Sequence, residues 1–292
     1  MINSVCCIIV SYNPDLIALI NIIKCIKFNS VPIIIVDNNS LNKKDFTFVD
    51  DCYPIFLDNN EGIAKAQNIG LKIAYERGYE YVLLLDQDSD IKDDFIGKMF
   101  EAFRLNNSDD KLIALGPTSY NIHSEKNYKV QSVFWGAIDP LYSNDDFIEV
   151  SYLISSGSLI NLKKMKEVGF FKAHYFIDYV DIEWGFRALN YNYRQVVAKN
   201  IIMNHQIGEN FKILNKTKSL HSPFRKYYMI RNSFYLLSEK HVPKKYAINQ
   251  IYSQSISQLF FLFFIKKNKI DYFFQYVRGL THGLFYVVSK KK

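Results

Sequence analysis

Short apolar runs alternate with helix-like stretches throughout the first half of the chain. Four continuous apolar runs predict buried strands: Val5 to Val10, Val31 to Val36, Tyr53 to Leu57 and Tyr81 to Leu85. Helical patterns lie between them, from Pro14 to Phe28 and from Ala64 to Arg77. Strands that are apolar on both faces and alternate with helices are typical of βαβ units. We therefore predict an α/β fold with a Rossmann-like, mostly parallel sheet flanked by helices.

Polar clusters follow these predicted strands at the points where they end. The clusters are Ser11-Tyr12-Asn13, Asp37-Asn38-Asn39-Ser40, Asp58 to Gly62 and Asp86-Gln87-Asp88. Ligands of such sheets bind outside the carboxyl ends of the strands. We therefore expect the clusters to converge on one edge of the sheet and to form a ligand-binding site.

The last eighty residues are aromatic, basic and helical in pattern. From Phe211 onward, 16 Lys and Arg residues stand against two acidic residues, which gives +14, so the first 210 residues carry −7. This asymmetry indicates an anionic partner, either nucleic acid or a membrane. No zinc-finger or RNP-type motif supports nucleic acid. We predict two domains, a catalytic domain at 1–210 and a helical, basic-aromatic, membrane-associating module at 211–292.

The apolar segment Leu259 to Ile265 is too short to cross a bilayer. Aromatic residues beside lysines fit a helix that lies on an anionic membrane surface. The alternative is a helix packed on the catalytic domain with a solvated basic face. Because the N-terminus has no charged region followed by an apolar signal core, we expect a cytoplasmic protein, peripheral at the inner face of the cell membrane. The neighbours Cys6 and Cys7 lie in an apolar run, which predicts burial as small hydrophobic residues.

Asp86 and Asp88 are the strongest chemical signal in the chain. Alternate residues of an extended strand point to the same side, so both carboxylates can face one cation. Hard oxygen ligands suit Mg²⁺ or Mn²⁺, with substrate phosphates completing the coordination shell. Such a metal would neutralise the charge that develops on a departing nucleotide diphosphate. The alternative is a solvated loop or a helix N-cap, since Asp90, Asp93 and Asp94 follow.

Several segments together resemble the family 2 glycosyltransferases, specifically their bacterial rhamnosyltransferase branch. The matching segments are Ile9 to Asn13, Ile35 to Ser40, Asn60 to Gly70, Leu84 to Asp88, Phe176 to Trp184 and His205 to Gly208. The resemblance covers the chain from Val5 to about Gly208, and the order and spacing of its motifs make it specific. It implies a GT-A fold, an inverting single displacement, a nucleoside-diphosphate-sugar donor and a lipid-linked glycan acceptor.

The resemblance also assigns roles to residues at the predicted strand ends. The residues assigned to the nucleoside-binding edge are Ser11, Tyr12, Asn13 and Asp37. Asn60 and Gly62 precede a helix whose free N–H groups favour phosphate or sugar oxygens. Turn formation is the alternative role for Asp37. For Asn60 and Gly62 the alternative is a helix cap and a glycine that the backbone requires.

An inverting transfer needs a carboxylate that removes the proton of the acceptor hydroxyl. The family pattern Glu-Asp-x-Asp-x-x-x-Arg, aligned at Arg187, makes Asp181 the general base, with Asp178 and Glu183 as alternatives. This chain departs from the pattern at Val180, where the family has an acidic residue. The structural alternative for these carboxylates is an acidic helix start, which the helix dipole favours.

Three further residues have both a functional and a structural interpretation. Trp184 either stacks on an acceptor sugar or packs in the core. His205 completes the metal shell, contacts the diphosphate or is a structural histidine. Arg231 either reaches the diphosphate or is one of many basic residues in the tail.

These features predict an inverting glycosyltransferase that moves L-rhamnose from dTDP-rhamnose to a lipid-linked oligosaccharide in bacterial O-antigen or surface-polysaccharide synthesis. The alternatives are a transferase for another nucleotide sugar, galactosyl or N-acetylglucosaminyl, and a sugar nucleotidyltransferase. A nucleotidyltransferase needs a phosphate loop rich in glycine and in lysine or arginine after the first strand, where this chain has Ser11 to Pro14. A dehydrogenase is disfavoured because no Gly-x-Gly-x-x-Gly follows that strand. A non-catalytic scaffold is disfavoured because the metal, base and nucleotide positions are intact.

Overall fold

The chain folds into two compact units, of which the first contains residues 1–173 and 184–206 and the second residues 174–183 and 207–292. The computed structural model describes residues 4–42, 52–121, 126–127, 130–132, 136–138, 140, 143–205, 210–213, 216–219, 221–265 and 267–290.

The first unit combines strands and helices in the predicted alternation. Its strands are β1 (Val5–Ser11), β2 (Ile33–Asp37), β3 (Tyr53–Phe56), β4 (Tyr81–Asp86), β5 (Leu112–Asn121), β6 (Lys126–Asn127), β7 (Val130–Ser132), β8 (Gly136–Ile138), β9 (Phe147–Glu149), β10 (Leu159–Asn161) and β11 (Arg194–His205). Its helices are α1 (Leu16–Phe28), α2 (Gly62–Glu76), α3 (Phe95–Asn106), α4 (Leu162–Val168) and the part of α5 (Val180–Asn190) that starts at Trp184.

One mixed sheet organises this unit, in the order β3-β2-β1-β4-β10-β5-β11-β9, with β6 paired to β5. Strands β3, β2, β1 and β4 run parallel, as β5 and β11 do to each other. Strand β10 is antiparallel to both of its neighbours, β4 and β5. The predicted α/β class with a mostly parallel, helix-flanked sheet is therefore confirmed, and the short reversing strand β10 is an addition that the sequence pattern did not predict.

Strand β1 lies at the centre of the parallel half, and all seven of its residues are buried. Burial raises the pKa of Cys6 to about 12, so this thiol stays protonated and packs as a small apolar group. The helix α2 approaches β1 closely through Gly70, because a methyl group there would lie 2.7 Å from Cγ2 of Ile8. The central strand is thus covered on its faces, as its uninterrupted apolar sequence predicts.

The second unit has its own elements and its own apolar core. It contains the hairpin strands β12 (Asn210–Ile213) and β13 (Lys216–Ser219) and the helices α6 (Pro223–Ser238), α7 (Lys244–Phe264) and α8 (Lys269–Ser289). The three helices confirm the predicted C-terminal helical module, and the hairpin that precedes them is an addition. The core side chains include Ile230, Phe234, Phe261, Tyr272 and Tyr276.

Helices α6 and α8 pack closely because two glycines of α8 leave room. A methyl group on Gly279 would lie 3.0 Å from the carbonyl oxygen of Tyr227, and one on Gly283 would lie 2.7 Å from the ring of Phe234. Across the residues that the structure describes, none of the helices combines the length and the apolar character that crossing a membrane requires.

Candidate functional site

The carboxyl ends of β1, β2 and β4 lie side by side at one edge of the first unit. Ser11, the last residue of β1, is in register with Asp37, the last residue of β2. Asp86 ends β4 and is in register with Val10 on the other side of β1. The polar residues at these strand ends therefore come together as predicted, and their shared edge is the candidate site.

Asp37 is buried at this edge, and the protein itself supplies donors to both of its carboxylate oxygens. Oδ1 accepts hydrogen bonds from the hydroxyl groups of Ser11, at 3.0 Å, and Ser40, at 2.5 Å. Oδ2 accepts from the backbone N–H of Ser40 at 2.9 Å. This is the turn chemistry that the sequence offered as the alternative for Asp37. It fixes the ends of β1 and β2 relative to each other, while nucleoside binding by Asp37 stays a prediction.

The loops after β1 and β2 are joined through Asn13. Its backbone N–H donates to the hydroxyl of Ser40 at 2.7 Å, and its side-chain oxygen accepts from the N–H of Leu41 at 2.8 Å. Asn13 has φ 47°, a left-handed conformation that asparagine tolerates better than most residues. Its neighbour Tyr12 is 48% exposed, so a ring is available at the surface of this edge.

Asn60 and Gly62 shape the start of α2. The side-chain oxygen of Asn60 accepts from the N–H of Gly62 at 3.0 Å and from the amide of Asn38 at 2.9 Å. Asn38 in turn accepts from the N–H of Glu61 at 2.8 Å. Gly62 has φ 80°, which favours glycine. Asn60 thus binds the first N–H of the helix from the preceding loop, whereas the N-cap residue Glu61 makes no side-chain capping hydrogen bond. A phosphate or sugar contact at this helix start stays a prediction.

Strand β4 ends at Asp86, and the residues after it form a tight turn. The N–H of Ser89 donates to the carbonyl of Asp86 at 3.2 Å, and the N–H of Asp86 donates to the Ser89 hydroxyl at 3.0 Å. The expectation that Asp86 and Asp88 alternate along an extended strand does not hold, because Asp88 lies in this turn. Asp86 is half-buried and Asp88 is exposed, so both remain accessible to an ion.

Gln87 connects this turn to the loop after β1. Its side-chain oxygen accepts from the N–H of Tyr12 at 2.7 Å, and its amide donates to the carbonyl of Tyr12 at 3.3 Å. The Gln87 side chain is engaged in this way, and the carboxylates of Asp86 and Asp88 on either side of it offer hard oxygen atoms at the turn. One or two carboxylates, with substrate phosphates, are what Mg²⁺ and Mn²⁺ commonly take, so these residues fit a divalent cation.

The end of β11 is tied to the same turn. The backbones of Asp90 and Asn204 pair, and the Asn204 amide donates to Oδ2 of Asp90 at 3.0 Å. The backbone of His205, the next residue, therefore lies at this edge. Its side chain falls outside the described residues, so its assignment to the metal stays a prediction.

In the second unit, the segment that leads into α5 carries Asp178. Nη2 of Arg225 lies 3.0 Å from Oδ1 of Asp178, and Nε of the same guanidinium donates to both carboxylate oxygens at 3.2 Å. Asp178 has φ 62°. This geometry makes Asp178 an ion-pair partner that holds a left-handed turn.

Asp181 lies in the first turn of α5 and is half-buried. Its Oδ1 accepts from the N–H of Ile182 at 2.9 Å. Free N–H groups and the helix dipole stabilise a negative charge at this position.

Glu183 is fully buried, and its Oε1 lies 2.8 Å from Nε2 of His241. Glu239 is also close, because the ligand atoms of these three residues lie within 4.8 Å of one another. The imidazole of His241 and the carboxyl group of Glu239 thus lie close to the buried Glu183 carboxyl group, and these three side chains could together hold a metal ion. A buried, paired carboxyl group is poorly placed to meet an acceptor, and this favours Asp181 over Glu183 as the base.

Arg231 and Trp184 both make structural contacts. The guanidinium of Arg231 donates to the carbonyls of His174 and Tyr175 at 2.8 and 3.0 Å. Trp184 is 3% exposed, and its indole N–H donates to the carbonyl of Gly169 at 3.0 Å. The structure therefore corrects the acceptor-stacking role of Trp184 in favour of the core alternative, because its ring is not open to a sugar.

Sequence reasoning did not single out several residues that organise these regions. They are Asn38, Ser40, Gln87 and, in the second unit, Asn232. Asn38, Ser40 and Gln87 lie inside the polar clusters at the strand ends, so the clusters were a signal for them. No local pattern marked Asn232.

Comparison with known proteins places the chain in a wider group. Residues 6–169 match the family model described as glycosyl transferase family 2. The dTDP-rhamnosyl transferase RfbF of Shigella flexneri is 32% identical over 97% of this chain and 98% of its own length.

Two solved structures, each 11% identical to this chain, are similar in fold. The S. aureus TarS structure 1–349 covers 97% of this chain and 82% of its own, with a TM-score of 0.56. The structure of GalNAc-T7 with UDP, GalNAc and Mn²⁺ covers 84% of this chain with a TM-score of 0.56, and this chain spans 54% of it.

Proposed function

Because the chain belongs to glycosyl transferase family 2, we propose that it is an inverting glycosyltransferase that moves L-rhamnose from dTDP-rhamnose to a lipid-linked oligosaccharide. The proposal of dTDP-rhamnose as the donor rests on the 32% identity, over 97% of the chain, to a protein named dTDP-rhamnosyl transferase. The connected loops at the ends of β1, β2 and β4 support a nucleotide-sugar site at that edge.

In this proposal, Asp86, Asp88 and His205 would hold a divalent cation, Mg²⁺ or Mn²⁺, and the bound cation would neutralise charge on the leaving diphosphate. Asp181 accepts the proton of the acceptor hydroxyl as its oxygen attacks the anomeric carbon from the face opposite the diphosphate. One in-line displacement of this kind inverts the configuration at that carbon.

The nucleoside part of the donor is proposed to bind over the loops after β1 and β2. Tyr12 offers an exposed ring, and Ser11, Asn13 and Asp37 fix the backbone around it. The start of α2 at Gly62 offers N–H groups to phosphate or sugar oxygens. Arg231 is not included among the donor ligands, since its guanidinium already binds backbone carbonyls.

A donor panel tests the proposed function. The purified protein with Mg²⁺ or Mn²⁺ and a membrane-lipid acceptor is expected to release nucleoside diphosphate from dTDP-rhamnose at least tenfold faster than from UDP-galactose or UDP-N-acetylglucosamine, a difference of about 1.4 kcal/mol. Product NMR of the anomeric centre checks inversion. Faster release from a UDP-sugar would refute the rhamnosyl donor, and activation of a sugar phosphate with NTP would point instead to a nucleotidyltransferase.

We further propose that residues 1–210 carry the catalytic site and that residues 211–292 hold the enzyme at the inner face of the cell membrane. Helices α7 and α8 expose many large apolar side chains, among them Phe263 at 79% and Phe274 at 69%. Lysines such as Lys244, Lys267 and Lys269 lie on or beside the same helices. Exposed aromatic side chains beside cations suit insertion among anionic headgroups.

Vesicle sedimentation tests this surface. The double variant Phe263→Ser/Phe274→Ser is expected to bind vesicles of phosphatidylglycerol and phosphatidylethanolamine on the order of a hundredfold more weakly, about tenfold for each lost side chain. The matched control is Ile17→Ser/Phe28→Ser, which changes equally exposed residues (73% and 74%) on α1 of the first unit. An equal loss in the control, or none in the α7/α8 variant, would contradict membrane binding through these helices.

A further inference from the structure

The turn that leads into α5 has a backbone conformation that its residues disfavour. Phe176, Asp178 and Tyr179 have φ values of 67°, 62° and 64°, although none of them is glycine. Residues with a β-carbon adopt this left-handed region rarely, and they keep it only where the surrounding structure holds them. The three residues of this turn lie two to five positions before Asp181, so whatever holds the turn also determines where α5 begins.

Asn232, on α6, is the side chain at the centre of this turn. It is fully buried, and its amide nitrogen lies 2.8 Å from the carbonyl oxygen of Tyr175, 2.7 Å from that of Ile177 and 3.0 Å from that of Asp178. One side chain thus donates to carbonyls along the whole length of the turn. A buried carbonyl without a donor is unfavourable, so these contacts select this conformation over others.

Arg231 fixes the orientation of that amide. Nε of Arg231 donates to the side-chain oxygen of Asn232 at 2.9 Å, so the amide nitrogen faces the turn. The same guanidinium donates to His174 and Tyr175 and lies 4.5 and 4.7 Å from the ring centres of Tyr228 and Tyr235. Together, the side chains of Arg231 and Asn232 therefore donate hydrogen bonds to four backbone carbonyl groups of the segment before α5. These are the carbonyls of His174, Tyr175, Ile177 and Asp178.

We propose that Asn232 is a positioning residue for the transfer reaction, which places Asp181 by holding the turn in front of it. The inference rests on the proposed function, in which Asp181 receives the acceptor proton. Asn232 itself touches no substrate, and it acts through the start of α5. A base that is displaced by about 1 Å loses on the order of a hundredfold in rate, because proton removal depends on the alignment of the reacting atoms.

Steady-state kinetics of Asn232→Ala and Asn232→Ser test the proposal. Each is expected to lower kcat by ten- to a hundredfold, with the donor KM within about twofold, because the proposed nucleotide ligands belong to other loops. The matched control is Gln258→Ala, which removes another buried amide whose Nε2 donates to the carbonyl of Lys226 at 3.1 Å. The control is expected to lower the melting temperature but to keep kcat within twofold.

A double-mutant comparison separates positioning from general stability. In an Asp181→Asn background, Asn232→Ala is expected to change the residual rate by less than about twofold, because the group that it positions is gone. An equal fold loss in both backgrounds would overturn the proposal, as would full kcat in folded Asn232→Ala or Asn232→Ser. If Asp181→Asn itself kept full rate, the proposed base and this inference would both fall. An inactive Asp181→Asn beside a fully active Asn232→Ala would overturn the inference alone.

Discussion

Asp181→Asn is expected to lower kcat for sugar transfer by about 10²- to 10⁴-fold, the usual contribution of a general base. The amide keeps the size of the carboxyl group and its place in the first turn of α5, so the donor KM should stay within about twofold. Initial rates of nucleoside diphosphate release, measured over a range of donor concentrations, give kcat and KM for both proteins.

The neighbouring carboxylates supply the controls for this variant. Asp178→Asn breaks the ion pair with Arg225 and should lower kcat less than Asp181→Asn does. Glu183→Gln removes a buried partner of His241 and should appear mainly as a lower melting temperature. Full turnover in Asp181→Asn together with an inactive Asp178→Asn would move the base to Asp178.

The sequence was most informative at the strand ends. A strand that is buried on both faces needs an unbroken run of apolar residues. The first polar residue after such a run marks the point where the chain leaves the core. Val5 to Val10 therefore predicted β1, and Asp37 and Asp86 were found at the ends of their strands. Because parallel neighbours end at the same edge, the grouping of the polar clusters followed from topology alone.

What the sequence did not predict depends on contacts between distant side chains. Glu183 and His241 are far apart along the chain, so the pairing that buries the Glu183 carboxyl group has no local signature. Asn232 lies within an ordinary helical pattern, and its role depends on the carbonyls of a turn more than fifty residues earlier. Trp184 has an apolar body and one donor, so local sequence allowed either a core or a sugar-facing position, and packing beside Gly169 decided it.

Contacts that the sequence does not show also explain why Asp86 and Asp88 do not alternate along one strand, as the sequence had predicted. Alternation along a strand holds only while the strand continues, and β4 stops at Asp86 because Ser89 closes a turn onto its backbone. The turn keeps both carboxylates at the same edge of the sheet. Their directions relative to each other are set by the turn, and not by the alternation of side chains along a strand. Residue types thus predicted which side chains could bind a cation, whereas the arrangement of these side chains needed the structure.

Removing the carboxylate of Asp86 or of Asp88 is expected to abolish most of the metal-dependent sugar transfer. Asp88→Asn should lower kcat/KM by about 10²- to 10³-fold, the range found when a group that stabilises the departing charge is lost. Titration calorimetry of Mn²⁺ in the presence of dTDP should show weaker binding in the same variant, because one charged ligand has become neutral.

Asp94→Asn is the matched control for this prediction, since Asp94 is an exposed carboxylate of the same acidic stretch that pairs with Lys98 at 2.6 Å. It should leave Mn²⁺ binding and kcat/KM within about twofold of wild type. The two variants carry the same change of charge, so a general effect of lost negative potential would weaken both alike. Only metal binding by the turn after β4 predicts that Asp88→Asn loses Mn²⁺ affinity and kcat/KM while Asp94→Asn keeps both. Undiminished sugar transfer in the presence of EDTA would contradict the prediction that this turn binds a metal. The turn after β4 would then contribute only by shaping the edge of the sheet.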